Sequence, residues 1–548
     1  MQIRMSRARP QQAMTTVRSL LAIICAAHGI GLRAAHHGPA WEGGRAPVPS
    51  STRFTRADNE HAAQPDEDSV SRRKARMFAA MQEDVRRTAH GLPYGDDRGD
   101  SMILVTIMPA RGAISLSVPR NCTPAAKCRL IQSMFKSVAQ AIHRKSCAAV
   151  AREKGLRIDS LAPAAFFVSA SSFGCEAHSA VCRDKPVLTM ARQPMRGDTG
   201  GILVPNPYFE SIESWIKQSV RIRRVATLTP LESRLPKAVW RGKLTAGTVE
   251  RAVALSRAGK AGEQSLSDLQ CRQNVSLPPL RVGDVARMVA VTRSCMHSSL
   301  LDIKLLPAPG ADDDPVLSRG ARLLADCWMR SARPHPASRG GCNDTSMVGA
   351  WMRHEDFVRF QVSLSLPGQT RGSYSRHLNH AWMFGSPVVI VRSATPEFTS
   401  WRTLSARAKG DRRLQVLRPR SDFQRVFLED EPWVNWSKAL FEEWYYPALR
   451  PNGTHVEVNT HTLIATVQAL VANTTSAQHW RAALAAGARD VYEHLLCPCC
   501  LVEYFSRVFA AISRQQGKTE SKLRDRVERM AREDDSRIHY TYYFSHPR

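Results

Sequence analysis

The chain has 548 residues, 43% of them hydrophobic and 23% charged, which excludes a wholly disordered protein and leaves room for roughly two to four domains, each with its own core. Lys and Arg total 77 against 49 Asp and Glu, a formal net charge of +28. Of the basic residues 62 are Arg and 15 are Lys, and they never form a block of about five in a row, so the excess reads as diffuse Arg usage and no nucleic-acid partner is expected.

The first acidic residue is Glu42, and Arg4, Arg7, Arg9 and Arg18 precede an apolar run over residues 19–32. A basic segment followed by an apolar one is the pattern of a secretory leader. The run is shorter than the ~20 residues of a comfortable membrane span. Residues 1–34 therefore read as a signal peptide or a short type II anchor, which would be the chain's one membrane attachment.

Asparagine points to the same compartment. There are ten, and six stand in N-x-[ST] sequons, at Asn121, Asn274, Asn343, Asn435, Asn452 and Asn473. Chance would supply about one or two, so glycosylated surface loops are expected in the lumen of the endoplasmic reticulum or Golgi. Beyond Cys25 twelve cysteines remain, an even number suited to disulfides in an oxidising lumen. Cys497, Cys499 and Cys500 lack the paired CxxC and distal His spacing that zinc needs, so disulfides are expected there too.

Residues 35–100 are rich in Pro, Gly, His and mixed charge, the composition of a stem or linker. Within them 69–88 has helical character but little apolar face. Strand 103–108 is expected to open the folded part. A helix follows over 125–153, then strands at 164–170, 187–190 and 201–204 and a helix over 208–219. The pattern continues with strand 238–241, helix 248–258, strand 358–364, helix 375–384 and strand 387–392. It ends with strand 455–458 and helices 460–472 and 477–494. Short apolar strands alternating with helices of ten or more residues imply an α/β fold with parallel sheet.

Four blocks in this region resemble the glycosyltransferase family 90 proteins, which include the fungal capsule-associated glycosyltransferases, the protein O-glucosyltransferases and their KDEL-motif-containing relatives. The first is Lys185-Pro-Val-Leu followed by Gly201-Ile-Leu-Val-Pro-Asn-Pro-Tyr208. The second is Lys237-Ala-Val-Trp-Arg-Gly242, with Glu250 and Arg251 after it. The third is Gly372-Ser-Tyr-Ser-Arg-His-Leu-Asn-His380 leading into Phe384-Gly-Ser-Pro-Val-Val-Ile390. The fourth is Glu442-Glu-Trp-Tyr-Tyr-Pro-Ala-Leu-Arg-Pro451. The resemblance covers residues 160–510 and implies a GT-B fold, two Rossmann-like domains facing across a cleft. It divides the chain into an acceptor-side domain at 101–227, a donor-nucleotide domain at 228–488, and C-terminal helices and tail at 489–548 that pack back on the first domain.

The resemblance also implies an inverting transfer of glucose or xylose from UDP-glucose or UDP-xylose to a hydroxyl of a protein or glycan, with no metal and no resident cofactor. That chemistry needs a base for the acceptor, stabilisation of the departing diphosphate and a pocket for the donor. Gly372, Ser373, Tyr374, Ser375 and Arg376 form a small-residue loop before a helix, whose backbone N–H groups can face an anion. The family has Arg where this chain has His377, which is expected to assist donor binding, and here Arg376 comes one place earlier. Arg241, at a strand end, and Lys243 add positive charge near the donor, with a strand-end salt bridge as the other reading of Arg241. Glu443 matches a family carboxylate that holds sugar hydroxyls or orients its loop, and Tyr208 and Phe209 fall on the acceptor side.

The base is a departure from the family. Its catalytic Asp would fall at Ser172 or Phe173, and residues 169–174 hold no carboxylate. Glu176 is the nearest replacement, with Asp184 and Asp198 further away. Two readings stand at this point: an enzyme whose base is Glu176, or an inactive relative that binds glycan or glycoprotein. A third class, a basic protein that binds acidic glycans through its surface charge, would show steep salt dependence and indifference to UDP.

Overall fold

The computed structural model describes residues 69–88, 102–170, 185–191, 201–244, 282–306, 347–368, 376–391, 443–458, 462–517 and 536–544, with residues 521, 522, 525 and 529. The leader, most of the stem and the expected helix 248–258 lie outside them. The fold is mixed α/β with two sheets.

The first sheet has the order β11-β2-β1-β3-β4-β5. Its strands are β1 (Met102–Met108), β2 (Ala113–Pro119), β3 (Ala164–Ser169), β4 (Val187–Thr189), β5 (Ile202–Leu203) and β11 (Arg537–Tyr543). β1 and β3 are apolar on both faces because they are interior strands. A tight turn over Pro109–Arg111 joins β1 to β2, and Gly112 closes it at φ +56°, with its N–H on the Pro109 carbonyl at 2.9 Å. The β3, β4 and β5 pairings are parallel, while β11, β2, β1 and β3 pair antiparallel. The first half is therefore a mixed sheet rather than the parallel sheet of a Rossmann-like domain, and the expected C-terminal tail supplies its edge strand.

The second sheet, β10-β9-β8-β6-β7, is parallel throughout. It comprises β6 (Leu235–Gly242), β7 (Leu301–Leu305), β8 (Phe360–Ser365), β9 (Val388–Val391) and β10 (Val456–Val458). In chain order the strands lie 2-1-3-4-5, so the winding reverses between β6 and β8. Ligands of open α/β sheets bind outside the strand carboxyl ends at such a reversal.

Nine helices are described. They are α1 (Val70–Thr88), α2 (Ala125–His143), α3 (Ala148–Lys154), α4 (Ile212–Leu228), α5 (Val282–Met296), α6 (Arg376–Ala381), α7 (Leu463–Val471), α8 (Thr475–Val491) and α9 (Pro498–Gln516). The expected helix 125–153 is broken by a turn into α2 and α3. α4 runs from Ile212 to Leu228 because Ser211 caps it, its side chain accepting from the Ser214 N–H. No single helix among the described residues is long and apolar enough to cross a membrane.

α1 corrects the expectation of a stem to residue 100. Met77, Phe78, Met81 and Val85 are buried along one stripe. The helix packs on α9 and on the turn Tyr446–Ala448, and Arg76 donates to the Pro447 carbonyl at 3.2 Å. α9 in turn lies on β3 and α2. Tyr504 of α9 donates to the Leu203 carbonyl at 2.8 Å and Gln516 brackets both backbone groups of Ala165, so the C-terminal helix returns to the first sheet. One buried core runs through both sheets.

All seven described cysteines are disulfide-bonded. Cys122 pairs with Cys128, Cys497 with Cys500, and Cys147 with Cys499, which ties α3 to the start of α9 across 352 residues. The cluster at 497–500 is thus two disulfides. The three described sequon asparagines, Asn121, Asn452 and Asn473, are all exposed.

Candidate functional site

The carboxyl ends of β6 and β8 are held together by one side chain. Arg287 of α5 is 5% exposed, donates to the Lys243 carbonyl, and reaches the Pro367 carbonyl through Nε at 3.0 Å and Nη2 at 2.8 Å. Its guanidinium also lies 5.4 Å from the Trp240 ring. The Gly242-Lys243 backbone is thereby fixed where the sheet winding reverses. Nothing in the local sequence singles out Arg287, because its partners are backbone carbonyls about 44 and 80 residues away.

Eleven residues beyond β8, Arg376 opens α6 and crosses to the first half of the protein. It lies over the ring of Tyr208, 3.6 Å from the centroid, and its Nη2 donates to the Tyr208 hydroxyl. Tyr208 belongs to the turn Pro207–Phe209 that follows β5, and Asn206 sets that turn by accepting the Tyr208 N–H at 3.2 Å. The segments that follow β5 and β8, one from each sheet, therefore meet at a cation stacked on a phenol. Of the residues expected at the site, this is the pair that the fold brings together.

Lys127 in the first turn of α2 adds a second cation. It is 3% exposed, and burial, with a smaller push from Arg376, lowers its pKa to about 7. α2 packs directly on the Pro207–Phe209 turn. Lys127 was not anticipated, although the sequence carries a signal: it begins the stripe continued by Ile131, Met134, Phe135 and Val138, all buried. A cation within an apolar stripe is paired or functional.

Beneath the turn Glu443 is fully buried. Asn206 donates to its Oε2 at 3.4 Å, while Oε1 has no hydrogen-bond partner. Burial pushes the carboxyl up to about 8, with the Asn206 hydrogen bond opposing. At neutral pH the group is mostly protonated, so it offers a proton rather than a negative charge. Asn379 on α6 is also buried, and neither of its side-chain polar atoms is bonded.

Three histidines line the junction between α4 and α6. His354 stacks on His380 at 3.7 Å, Trp215 meets His380 edge-on at 5.1 Å, and Gln218 bonds the His380 Nε2 at 3.0 Å. His377 lies between Phe357 and Phe384 with Nε2 3.3 Å from the Ser363 hydroxyl. Burial, reinforced by His354, lowers His377 to about 3 and His380 well below the usual value. The expectation that His377 assists donor binding is corrected in this respect: it is a neutral, packed imidazole and brings no charge to a phosphate.

The chain matches no protein-family model and no curated protein. The remaining expected site residues are placed as follows. Arg241 turns back along the sheet, its Nη2 on Asp302 Oδ2 at 2.7 Å and Nη1 on the Asp302 carbonyl at 2.6 Å, which is the strand-end salt bridge of the alternative reading. Lys243 is partly exposed at the carboxyl end of β6. Phe209 does not face an acceptor: it is 2% exposed and packs edge-on against Trp215 at 4.5 Å. Ser172, Phe173, Glu176, Asp184 and Asp198 lie outside the described residues, as do Gly372, Ser373, Tyr374 and Ser375. Among the described residues no group of three His, Cys, Asp or Glu is placed to hold a metal ion.

Proposed function

We propose that this chain is an inverting glycosyltransferase of the secretory pathway, of GT-B architecture, that moves glucose or xylose from a UDP-sugar to a hydroxyl of a protein or glycan. The observation that carries the reading is the contact of Arg376 with Tyr208, which brings together the segments that follow β8 and β5; open α/β sheets bind ligands beyond strand carboxyl ends. The four motif blocks that resemble glycosyltransferase family 90 support the same assignment.

In this reading the UDP-sugar lies outside β6 and β8, and the diphosphate takes the guanidinium of Arg376, with the charge of Lys127 reinforcing it. As the sugar–phosphate bond breaks, negative charge grows on the diphosphate and these cations oppose it. The acceptor approaches from the Tyr208 side, and Glu176 removes its proton. Glu443, protonated in the ground state, orients the Asn206 turn on which Tyr208 stands.

The test is UDP release by the full chain with UDP-glucose and UDP-xylose, with and without glycoprotein acceptor. Acceptor-dependent release that Glu176→Gln abolishes and Arg376→Ala weakens is expected. Loss of UDP affinity in Arg241→Ala but not in Arg376→Ala would move the donor away from the Tyr208 junction. The second reading, an inactive glycan-binding relative, is favoured by the missing carboxylate in residues 169–174. UDP binding without turnover of any donor would select it.

A further inference from the structure

The second sheet carries another concave site, lined by β6, β7 and the segment that leads into β8. Leu235, Lys237 and Arg241 of β6, whose register on β8 shifts between Leu235 and Ala238, enclose with Asp302 of β7 and the segment 352–360 an open cavity of about 430 Å³. That volume lies in the ~300–1,000 Å³ range of small-molecule sites. Nothing in glycosyl transfer as proposed above uses it.

Its charges do not balance. Both carboxylates are already held: Asp302 by Arg241 at 2.7 Å and Asp356 by Arg353 at 3.3 Å from two nitrogens. The two other cations of the lining, Lys237 and Arg359, make no hydrogen bond or ion pair with a described residue, although the Arg359 charge reaches Asp356. The cavity thus presents two uncommitted cations on a floor whose anions are spent, and such a site attracts an anion. Leu235, Met352 and Phe360 make the rest of the wall apolar. An apolar wall beside paired cations suits a ring that carries a charge at one edge and C–H groups on its face.

We propose that this cavity binds an anionic sugar, one or two rings carrying carboxylate or sulfate, with Lys237 and Arg359 on the anion and Leu235 and Met352 against a ring. The Arg241–Asp302 pair forms the rigid floor. Binding here is independent of UDP and of the Tyr208 junction, so it holds or fails regardless of whether the chain transfers sugar.

The experiment is ligand-observed NMR of the full chain with glucuronic acid, N-acetylglucosamine 6-sulfate, glucose and inorganic sulfate. Both anionic sugars are expected to bind, with glucose about tenfold or more weaker, because each charge-assisted hydrogen bond is worth at least that factor. Lys237→Ala with Arg359→Ala should lower anionic-sugar affinity about tenfold or more at unchanged melting temperature. Met352→Ala should weaken the sugars and leave inorganic sulfate alone. Equal binding of glucuronic acid by the wild type and the double variant would overturn the proposal. So would equal binding of glucose and glucuronic acid, equal affinity for inorganic sulfate and the sulfated sugar, or no binding of either anionic sugar at tens of millimolar.

Discussion

Glu443→Gln isolates the buried carboxyl under the Tyr208 turn. Glutamine keeps the shape and an oxygen for the Asn206 amide, and removes the ionisation. In the folded protein the Glu443 carboxyl holds its proton up to about pH 8, whereas unfolded it releases it near 4.5. Between these values the folded state binds one proton more than the unfolded state, so stability falls with rising pH by about 1.4 kcal/mol per pH unit. Integrated to pH 8 this is roughly 4 kcal/mol, an upper bound because relaxation around a buried charge reduces it. Other groups act the opposite way. His377 and His380 are lowered, so they add stability as pH rises toward their unfolded value, and the lowered Lys127 does the same above about 7. The measurement is therefore the difference between wild type and Glu443→Gln in urea unfolding at pH 5, 6, 7 and 8. The variant should gain on the wild type steadily across that series. Parallel curves for the two proteins would refute a protonated Glu443.

Three further outcomes follow from particular contacts. Gly487 lies in α8, and a Cβ there would land on the carbonyl oxygen of Gly453; Gly487→Ala should destabilise despite the ~1 kcal/mol that alanine gains in a helix, because overpacking backbone costs about 1–3 kcal/mol or more, and a raised urea midpoint would contradict it. Replacing Cys147 and Cys499 together by Ala opens a cross-link spanning 352 residues, and loop entropy sets the loss at on the order of 5 kcal/mol, read from the urea midpoint under non-reducing conditions. Asn121→Gln, Asn452→Gln and Asn473→Gln should each remove one gel-mobility step from protein made in a secretory host, since all three are exposed; no shift in any of them would count against a lumenal chain.

The second sheet was the most legible part of the fold. Its strands are short apolar runs, and 238–241, 358–364, 387–392 and 455–458 each fell within a few residues of an observed strand. β2, β7 and β11 were not anticipated. In β2 the reason is physical: Ser115 and Ser117 put hydroxyls in the middle of the strand, and the burial of Ser117 is tolerated because Arg537 of β11 reaches its Oγ at 2.8 Å from 420 residues away. The α1 stripe was masked in the same way. Charge crowds that helix, and Arg73 and Lys74 become compatible with packing only through Asp490 and Glu503, which no local window contains. At the junction, Tyr208 and Arg376 were legible because they lie in motif blocks. Lys127 and Arg287 were not, since their roles depend on neighbours supplied by the other half of the chain.

Several of the buried guanidiniums serve as clamps on backbone carbonyls. Arg234, 5% exposed, takes the carbonyls of Ala226 and Thr229 at the end of α4 and those of Phe384 and Gly385 beyond α6. Arg481 of α8 holds Leu470 and Ala472, two carbonyls left open where α7 ends. Arg287 joins β6 to β8, and Arg537 holds the Met102 and Ser117 carbonyls across the first sheet. A planar fork of five donors can satisfy two or three carbonyls in fixed directions, and a lysine ammonium, a compact and strongly hydrated charge, cannot do so without a large desolvation cost. Burial lowers the Arg234 pKa only to about 10, so the group remains charged while acting as a multi-donor bracket. The +28 charge is in this part a consequence of how the chain closes its helix ends and strand ends. The cations that matter for ligands are then the few not spent on carbonyls, and Lys237 and Arg359 are of that kind.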